Sequence, residues 1–218
     1  MKKHEVDRRT YCLGGLAALS MGMSAGTMAQ AQFTEGKDYK RLSAAVGGRT
    51  LPDGKRIEVL EFFWYGCPHC YAFEPALESW VKKLPGDVQL RRVPVGFGGV
   101  HMLHQKLYYA LERLPSFPAL HKKVFYAMHV DKRRMDTLSA VMEWAKENGV
   151  HEESLMADLK SVGVDSAARQ ARTVMEAYGV DSVPSLGIQG KYVTSPHMTG
   201  SYERTFAVVE AMLIRERG

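Results

Sequence analysis

Cysteine is nearly absent from this chain: three occur in 218 residues, and two of them, Cys67 and Cys70, stand three positions apart. That shortage limits the chemistry. A metal centre built from cysteine alone wants four thiolates. Basic runs interleaved with aromatics are missing too, and the formal net charge is only +5, so there is no case for nucleic acid. Neither an internal repeat nor a low-complexity tract is found. With 45% hydrophobic and 24% charged residues, the composition is that of a soluble globular protein rather than a disordered or membrane-spanning one.

The first 31 residues read as separate from the fold. MKKHEVDRR opens with Lys2, Lys3, Arg8 and Arg9, and YCLGGLAALSMGMSAG follows, too short and glycine-rich to span a bilayer well. Ala29 and Ala31 then form an A-x-A arrangement, which predicts a signal peptide cleaved after Ala31. Arg8-Arg9 hints at twin-arginine export. Cleavage leaves 187 residues, carries Cys12 away and lowers the net charge to +3. The remaining cysteines would work in an oxidising compartment, where a disulfide persists. As a structural staple the pair closes too short a loop to constrain the unfolded chain. Redox exchange is the reading that remains.

IEVLEFFWY at 57–65 is a short, nearly continuous apolar run and suits a strand buried on both faces. Pro68 is placed for a first helical position. Phe73, Leu77, Trp80, Val81 and Leu84 then recur at helical spacing until Pro85-Gly86, with Pro75 interrupting the pattern and predicting a kink. VQLRRVPVGF at 88–97 is a second strand, so the order predicts a parallel pair with a right-handed crossover. From His101 to Tyr178 the sequence is helical, with segments ending near Pro115 and Asn148-Gly149 and shorter pieces at 151–160 and 165–178. This exceeds one crossover helix and implies an inserted helical subdomain. VDSVPSLGIQGKYVTSP reads as strand, turn at Gln189-Gly190, strand. Tyr202, Phe206, Val209 and Leu213 give a last amphipathic helix with Ser201 as N-cap.

The segments VLEFFWYGCPHCYAFEP at 59–75 and SVPSLGIQGKY at 182–192, together with the export signal, make the chain resemble the thioredoxin superfamily, and within it the DsbA family of periplasmic thiol:disulfide oxidoreductases. The likeness covers nearly all of the mature chain. It implies an α/β, thioredoxin-like fold with an inserted all-helical subdomain: 32–100 and 165–218 as the thioredoxin-like domain, and 101–164 as the insertion. The same resemblance implies a monomeric protein disulfide oxidoreductase of the periplasm, acting in protein folding. It would use no cofactor beyond its own Cys67–Cys70 disulfide, with unfolded exported proteins as substrates and a membrane DsbB-type, quinone-linked oxidase as partner. Gly66 before the first cysteine, Pro75 in the helix and Gly187 after Pro184 depart from the expected pattern; Gly187 is expected to loosen a sheet edge.

On that frame Cys67 is the attacking thiol. With Pro68 as first helical residue, its sulfur sits at the N-cap, where free N–H groups and the helix dipole favour a thiolate. Cys70, one turn on, points inward as the resolving partner. His69, between them, either stabilises the anionic sulfur or is simply solvated. Lowering a thiol pKa by about four pH units takes roughly 5.5 kcal/mol, and a helix terminus supplies only ~0.3–2 kcal/mol. Local hydrogen bonds and His69 are therefore expected to carry most of the shift. A stabilised thiolate exists only in the reduced protein, so it makes the disulfide form an oxidant.

Glu61, the acidic residue inside the apolar strand, either moves a proton for Cys70 or forms an ion pair with Arg91 or Arg92. Val183-Pro184 is where the superfamily places a cis proline facing the disulfide, exposing backbone groups that can pair with an extended substrate; the alternative is a trans proline at a strand start. His101 and His104 are either a metal pair or a solvated helix face. Met102, Met128, Met135 and Met142 pack between helices or floor an apolar groove. Competing functions are a disulfide isomerase or reductase, a periplasmic metallochaperone using Cys67 and Cys70, and a non-catalytic chaperone.

Overall fold

The computed structural model describes residues 33–47, 51 and 54–217. The signal segment read at 1–31, with Cys12, lies outside the described residues. Among the described residues, five strands form one sheet in the order β1-β5-β4-β2-β3. Its centre is β2 (Ile57–Phe63), parallel to β3 (Val88–Pro94) and antiparallel to β4 (Ser185–Ile188). Beyond β4 lie β5 (Tyr192–Thr194) and β1 (Lys40–Arg41). The sequence pattern does not signal β1, whose exposed Lys-Arg pair carries no apolar alternation.

Helix α1 (Pro68–Val81) follows β2 directly. Between β3 and β4 come α2 (Val100–Leu111), α3 (Phe117–His129), α4 (Leu138–Glu147), α5 (Glu152–Leu159) and α6 (Val162–Ala177). Residue 165, where the resemblance begins the second thioredoxin-like segment, falls inside α6. Short α7 (Pro196–Thr199) and long α8 (Tyr202–Arg217) close the chain, with Ser201 Oγ accepting the Arg204 N–H as its cap.

Alternation along β2 divides the interior. Val59 joins Phe73, Leu77 and Phe206 in the core beneath α1 and α8. Leu60 and Phe62 face the other way, against Ala171, Met175 and Tyr178 of and after α6. Phe63, Tyr65 and both cysteines belong to a third core built with α2–α6. The Cys67–Cys70 turn is thus the seam between the sheet and the helices α2–α6.

Gly187 does not loosen an edge. β4 lies between β5 and β2, and a Cβ at Gly187 would stand 2.4 Å from a ring carbon of Tyr178. That ring cannot retreat: it is buried, packs on Phe62 at 5.3 Å and accepts the Gly190 N–H at 2.7 Å. The glycine is a close approach that lets Tyr178 brace the hairpin. Gly187→Ala is expected to destabilise the fold by about 1–3 kcal/mol, seen as a lower urea midpoint at unchanged slope; an unshifted midpoint would remove this account of Gly187.

Candidate active site

Cys67 is the N-cap of α1, in extended backbone, and its sulfur accepts the Cys70 N–H at 3.3 Å. Pro68 occupies the first helical position, where its missing N–H costs nothing. Before the helix, the Cys67 N–H bonds the Trp64 carbonyl at 3.0 Å, closing a tight turn. Gly66 is required in that turn, because a Cβ there would come 2.3 Å from the Trp64 indole.

The two sulfurs have opposite environments. Cys67 is 7% exposed and Cys70 fully buried, both as free thiols. The Cys67 thiol is brought down from 9.0 to about 6, first by hydrogen bonding from the Cys70 side chain, against the opposing cost of burial. The backbone N–H groups of Cys70 and His69 follow, and the charge of His69 comes after them. His69, exposed on the first turn, therefore carries less of the shift than its position in the sequence suggested. Burial pushes the Cys70 thiol far up, and Cys67 and Glu61 push it the same way. One thiol of the pair is held as an anion at neutral pH while its neighbour keeps its proton.

The Val183–Pro184 peptide is cis. The Val183 carbonyl lies 3.5 Å from the Cys67 sulfur and accepts its hydrogen in the thiol form. Beside it, a groove of about 370 Å³ is lined by His69, Val183, Pro184, His197 and Tyr202. His197 had no signal in the sequence; α7, one turn long, brings it to the groove.

Glu61 is completely buried on the face of β2 toward α1. Register sets it opposite Arg92 of β3, whose Nε is 3.0 Å from Oε2. Arg91 faces away and pairs with Glu58 at 2.8 Å. Arg92 also forms two bonds to Glu74 of α1, at 2.8 and 3.4 Å. Glu61 is therefore poorly served: neither oxygen has a hydrogen bond of acceptable geometry. Burial, with the Glu74 charge added, pushes its carboxyl well above the ordinary range despite Arg92. Glu61 is thus an ion-pair neighbour of Arg92 whose buried carboxyl is biased toward keeping its proton.

The histidines of α2 are not a solvated face. His104 is buried, accepts the Trp64 indole N–H at Nδ1 (2.9 Å) and donates from Nε2 to the Met135 carbonyl (2.8 Å). Both ring nitrogens are engaged, and burial lowers its pKa. His101 stacks on the Trp64 ring, 4.0 Å between centroids. Met135 and Met142 are buried and Met102 is exposed.

A family model described as thioredoxin matches residues 56–206. The thiol:disulfide interchange protein DsbA of Azotobacter vinelandii is 33% identical over 94% of both chains, and that of Burkholderia cepacia is 36% identical over 89% of this chain and 92% of the relative. The chain belongs to the DsbA family. The crystal structure of Pseudomonas aeruginosa DsbA, 34% identical, superposes with a TM-score of 0.77 over 85% of this chain and 95% of that one. The oxidoreductase DsbA from Xylella fastidiosa, at 26% identity, gives 0.76 over 84% of this chain and 97% of that one. The DsbA family fold thus extends through the helical insertion as well as the sheet, since so much of each chain is covered.

Sequence reasoning assigned no role to Tyr65, Glu74, His121 and His129, which are linked to one another behind the cysteine turn. Tyr65 donates or accepts at His121 Nδ1 (2.8 Å), and its carbonyl lies 2.7 Å from His129 Nε2. Glu74 Oε1 is 3.6 Å from His121 Nε2. A signal existed: His121, Phe125 and His129 recur every four residues beside the apolar stripe of α3.

Proposed function

We propose that this chain is a dithiol oxidase that gives its Cys67–Cys70 disulfide to unfolded exported proteins. A substrate thiolate attacks the Cys67 sulfur, forming a mixed disulfide and breaking the bond to Cys70. Cys70 leaves as a thiolate in a site hostile to charge and takes the proton of Glu61. A second substrate thiolate then attacks the substrate sulfur of the mixed disulfide, releasing Cys67 as a thiolate. Two electrons pass from the substrate to the protein pair.

The observation that carries this reading is the asymmetry of the pair, with the outer thiol at about 6 and the inner one pushed far up. A good leaving group at Cys67 makes the disulfide a strong donor. The groove beside Val183 and Pro184 accepts an extended substrate segment, with backbone groups next to the reacting sulfur. Export through residues 1–31, a periplasmic site of action, a monomeric state and reoxidation by a DsbB-type membrane oxidase complete the proposal. No further cofactor is invoked. The helical stretch 101–164 is proposed as the insertion and 32–100 with 165–218 as the thioredoxin-like part.

Mixing the oxidised protein with a reduced, unfolded protein tests the reading by mass. Each transfer is expected to lower the substrate by two daltons and raise this chain by two, with no metal adduct on either. Transfer that persists in Cys67→Ser would overturn it, and a preference for rearranging existing disulfides would favour an isomerase.

A further inference from the structure

Five polar groups, Tyr65, Glu61, Glu74, Arg92 and His121, meet around α1, and their arithmetic does not balance. Arg92 is one cation facing two carboxyl groups, Glu61 and Glu74. Its two hydrogen bonds, at 2.8 and 3.4 Å, go to Glu74; its Nε also lies 3.0 Å from Glu61 Oε2, but out of hydrogen-bond alignment, so the Glu61 oxygens have no hydrogen bond among the described residues. Glu74 is therefore the carboxyl better served as an anion, and fully buried Glu61 is the one favoured to hold a proton.

His121 decides which is which. Its Nε2 faces Glu74 Oε1 at 3.6 Å, just beyond hydrogen-bond distance, and has no hydrogen-bond partner among the described residues. Its Nδ1 lies 2.8 Å from the hydroxyl of Tyr65, a phenol that burial keeps protonated. When that hydroxyl donates to Nδ1, the ring hydrogen belongs on Nε2, aimed at Glu74. Burial lowers the His121 pKa, opposed by Glu74 and by Glu78. Glu78 is itself paired with Lys122, and Tyr108 closes the remaining side with its ring 6.0 Å away. His121 is thus a neutral donor at neutral pH, set between Tyr65, Glu74 and Arg92.

We propose that His121 is a positioning residue for the resolving step: its Nε2–H holds Glu74 as the carboxylate, and that neighbouring charge keeps the proton on Glu61 for Cys70. The inference rests on the reading of Glu61 as the acid that protonates Cys70. Without the imidazole, Glu74 loses the ring N–H dipole that faces it and takes the proton, while Glu61 ionises against Arg92. The leaving Cys70 thiolate then meets an ionised Glu61, and the proton it would take sits on Glu74 instead. The same helix also bonds the Tyr65 carbonyl through His129, so the face of α3 that orders the turn also sets its proton.

The test combines infrared spectroscopy with stopped-flow reduction of the oxidised protein by a small dithiol between pH 5 and 8. The protonated-carboxyl band lost in Glu61→Gln marks the Glu61 proton. His121→Phe is expected to lose that band at pH 7 and slow disulfide cleavage by about tenfold. His121→Gln, which keeps an N–H near the Nε2 position, is expected to restore both. A His121→Phe protein with the Glu61 band and wild-type rate would overturn the inference. Should His121→Phe fail to fold, Tyr65→Phe decides: loss of the band supports the proposal, and an unchanged band and rate refute it. If Glu61→Gln cleaves as fast as wild type at every pH, the underlying proton-donor reading fails first, and the role of His121 with it.

Discussion

Alkylation of Cys67 by iodoacetamide is expected to slow only about twofold between pH 8 and pH 6, because a thiol at about 6 is still half ionised there. Free cysteine, with a pKa of about 8.5, loses roughly 75-fold of its thiolate over the same range. At pH 6 the Cys67 advantage in thiolate is about 160-fold, offset by the lower nucleophilicity of a less basic sulfur, which leaves a net gain of about tenfold. A profile falling in parallel with free cysteine would remove the basis for the proposed oxidase. The same shift fixes a stability dependence. The folded pKa lies below the unfolded one, so the stabilisation is fully present above 9.0 and disappears as pH falls through about 6. At pH 7 it is worth about 1.4 kcal/mol, and it belongs to the reduced form alone. Denaturant titrations are therefore expected to show the reduced protein losing ground to the oxidised one between pH 8 and pH 5.

The path from residues to this site was legible wherever one local rule decided the matter. IEVLEFF read as the central strand because its apolar run has no polar face to solvate. Pro68 and the Gln189-Gly190 turn read correctly because each asks for one backbone geometry, and positive φ values are found at both turn residues. The helices between residues 100 and 177 followed from their apolar spacing. What stayed hidden depends on partners far apart in sequence. Gly187 looked like a weakness because Tyr178, which fills the space of its absent side chain, comes from another element. His104 looked solvated because Trp64 and the Met135 carbonyl reach it from outside α2. Glu74 passed unnoticed in the active-site helix because its meaning comes from Arg92 and His121, 18 and 47 positions away. Tertiary electrostatics, rather than periodicity, holds that part of the design.

Cys70→Ser, reduced and offered a disulfide-bonded peptide, is expected to stop as a stable Cys67 mixed disulfide. The Cys67 thiolate still attacks one peptide sulfur and expels the other as a thiolate, but no second thiol stands behind it to break the new bond. In the wild-type protein that thiol is held one helical turn away, with its N–H on the Cys67 sulfur at 3.3 Å. Pre-positioning of this kind is worth effective concentrations far above any solution thiol, so the adduct is expected to live on the order of 10³-fold longer in the variant. Intact mass under non-reducing conditions reads the trapped species directly, and an adduct that decays at the wild-type rate would mean that Cys70 is not the resolving group. Cys70→Ala adds a second readout. The Cys70 side chain is the largest contribution to holding Cys67 as an anion; serine retains an O–H donor in its place and alanine does not. The alkylation midpoint of Cys67 is therefore expected to move upward in the alanine variant and to stay closer to about 6 with serine. Equal midpoints would assign the anion to the backbone N–H groups of the helix terminus, and the inner thiol would keep only its part in breaking the mixed disulfide.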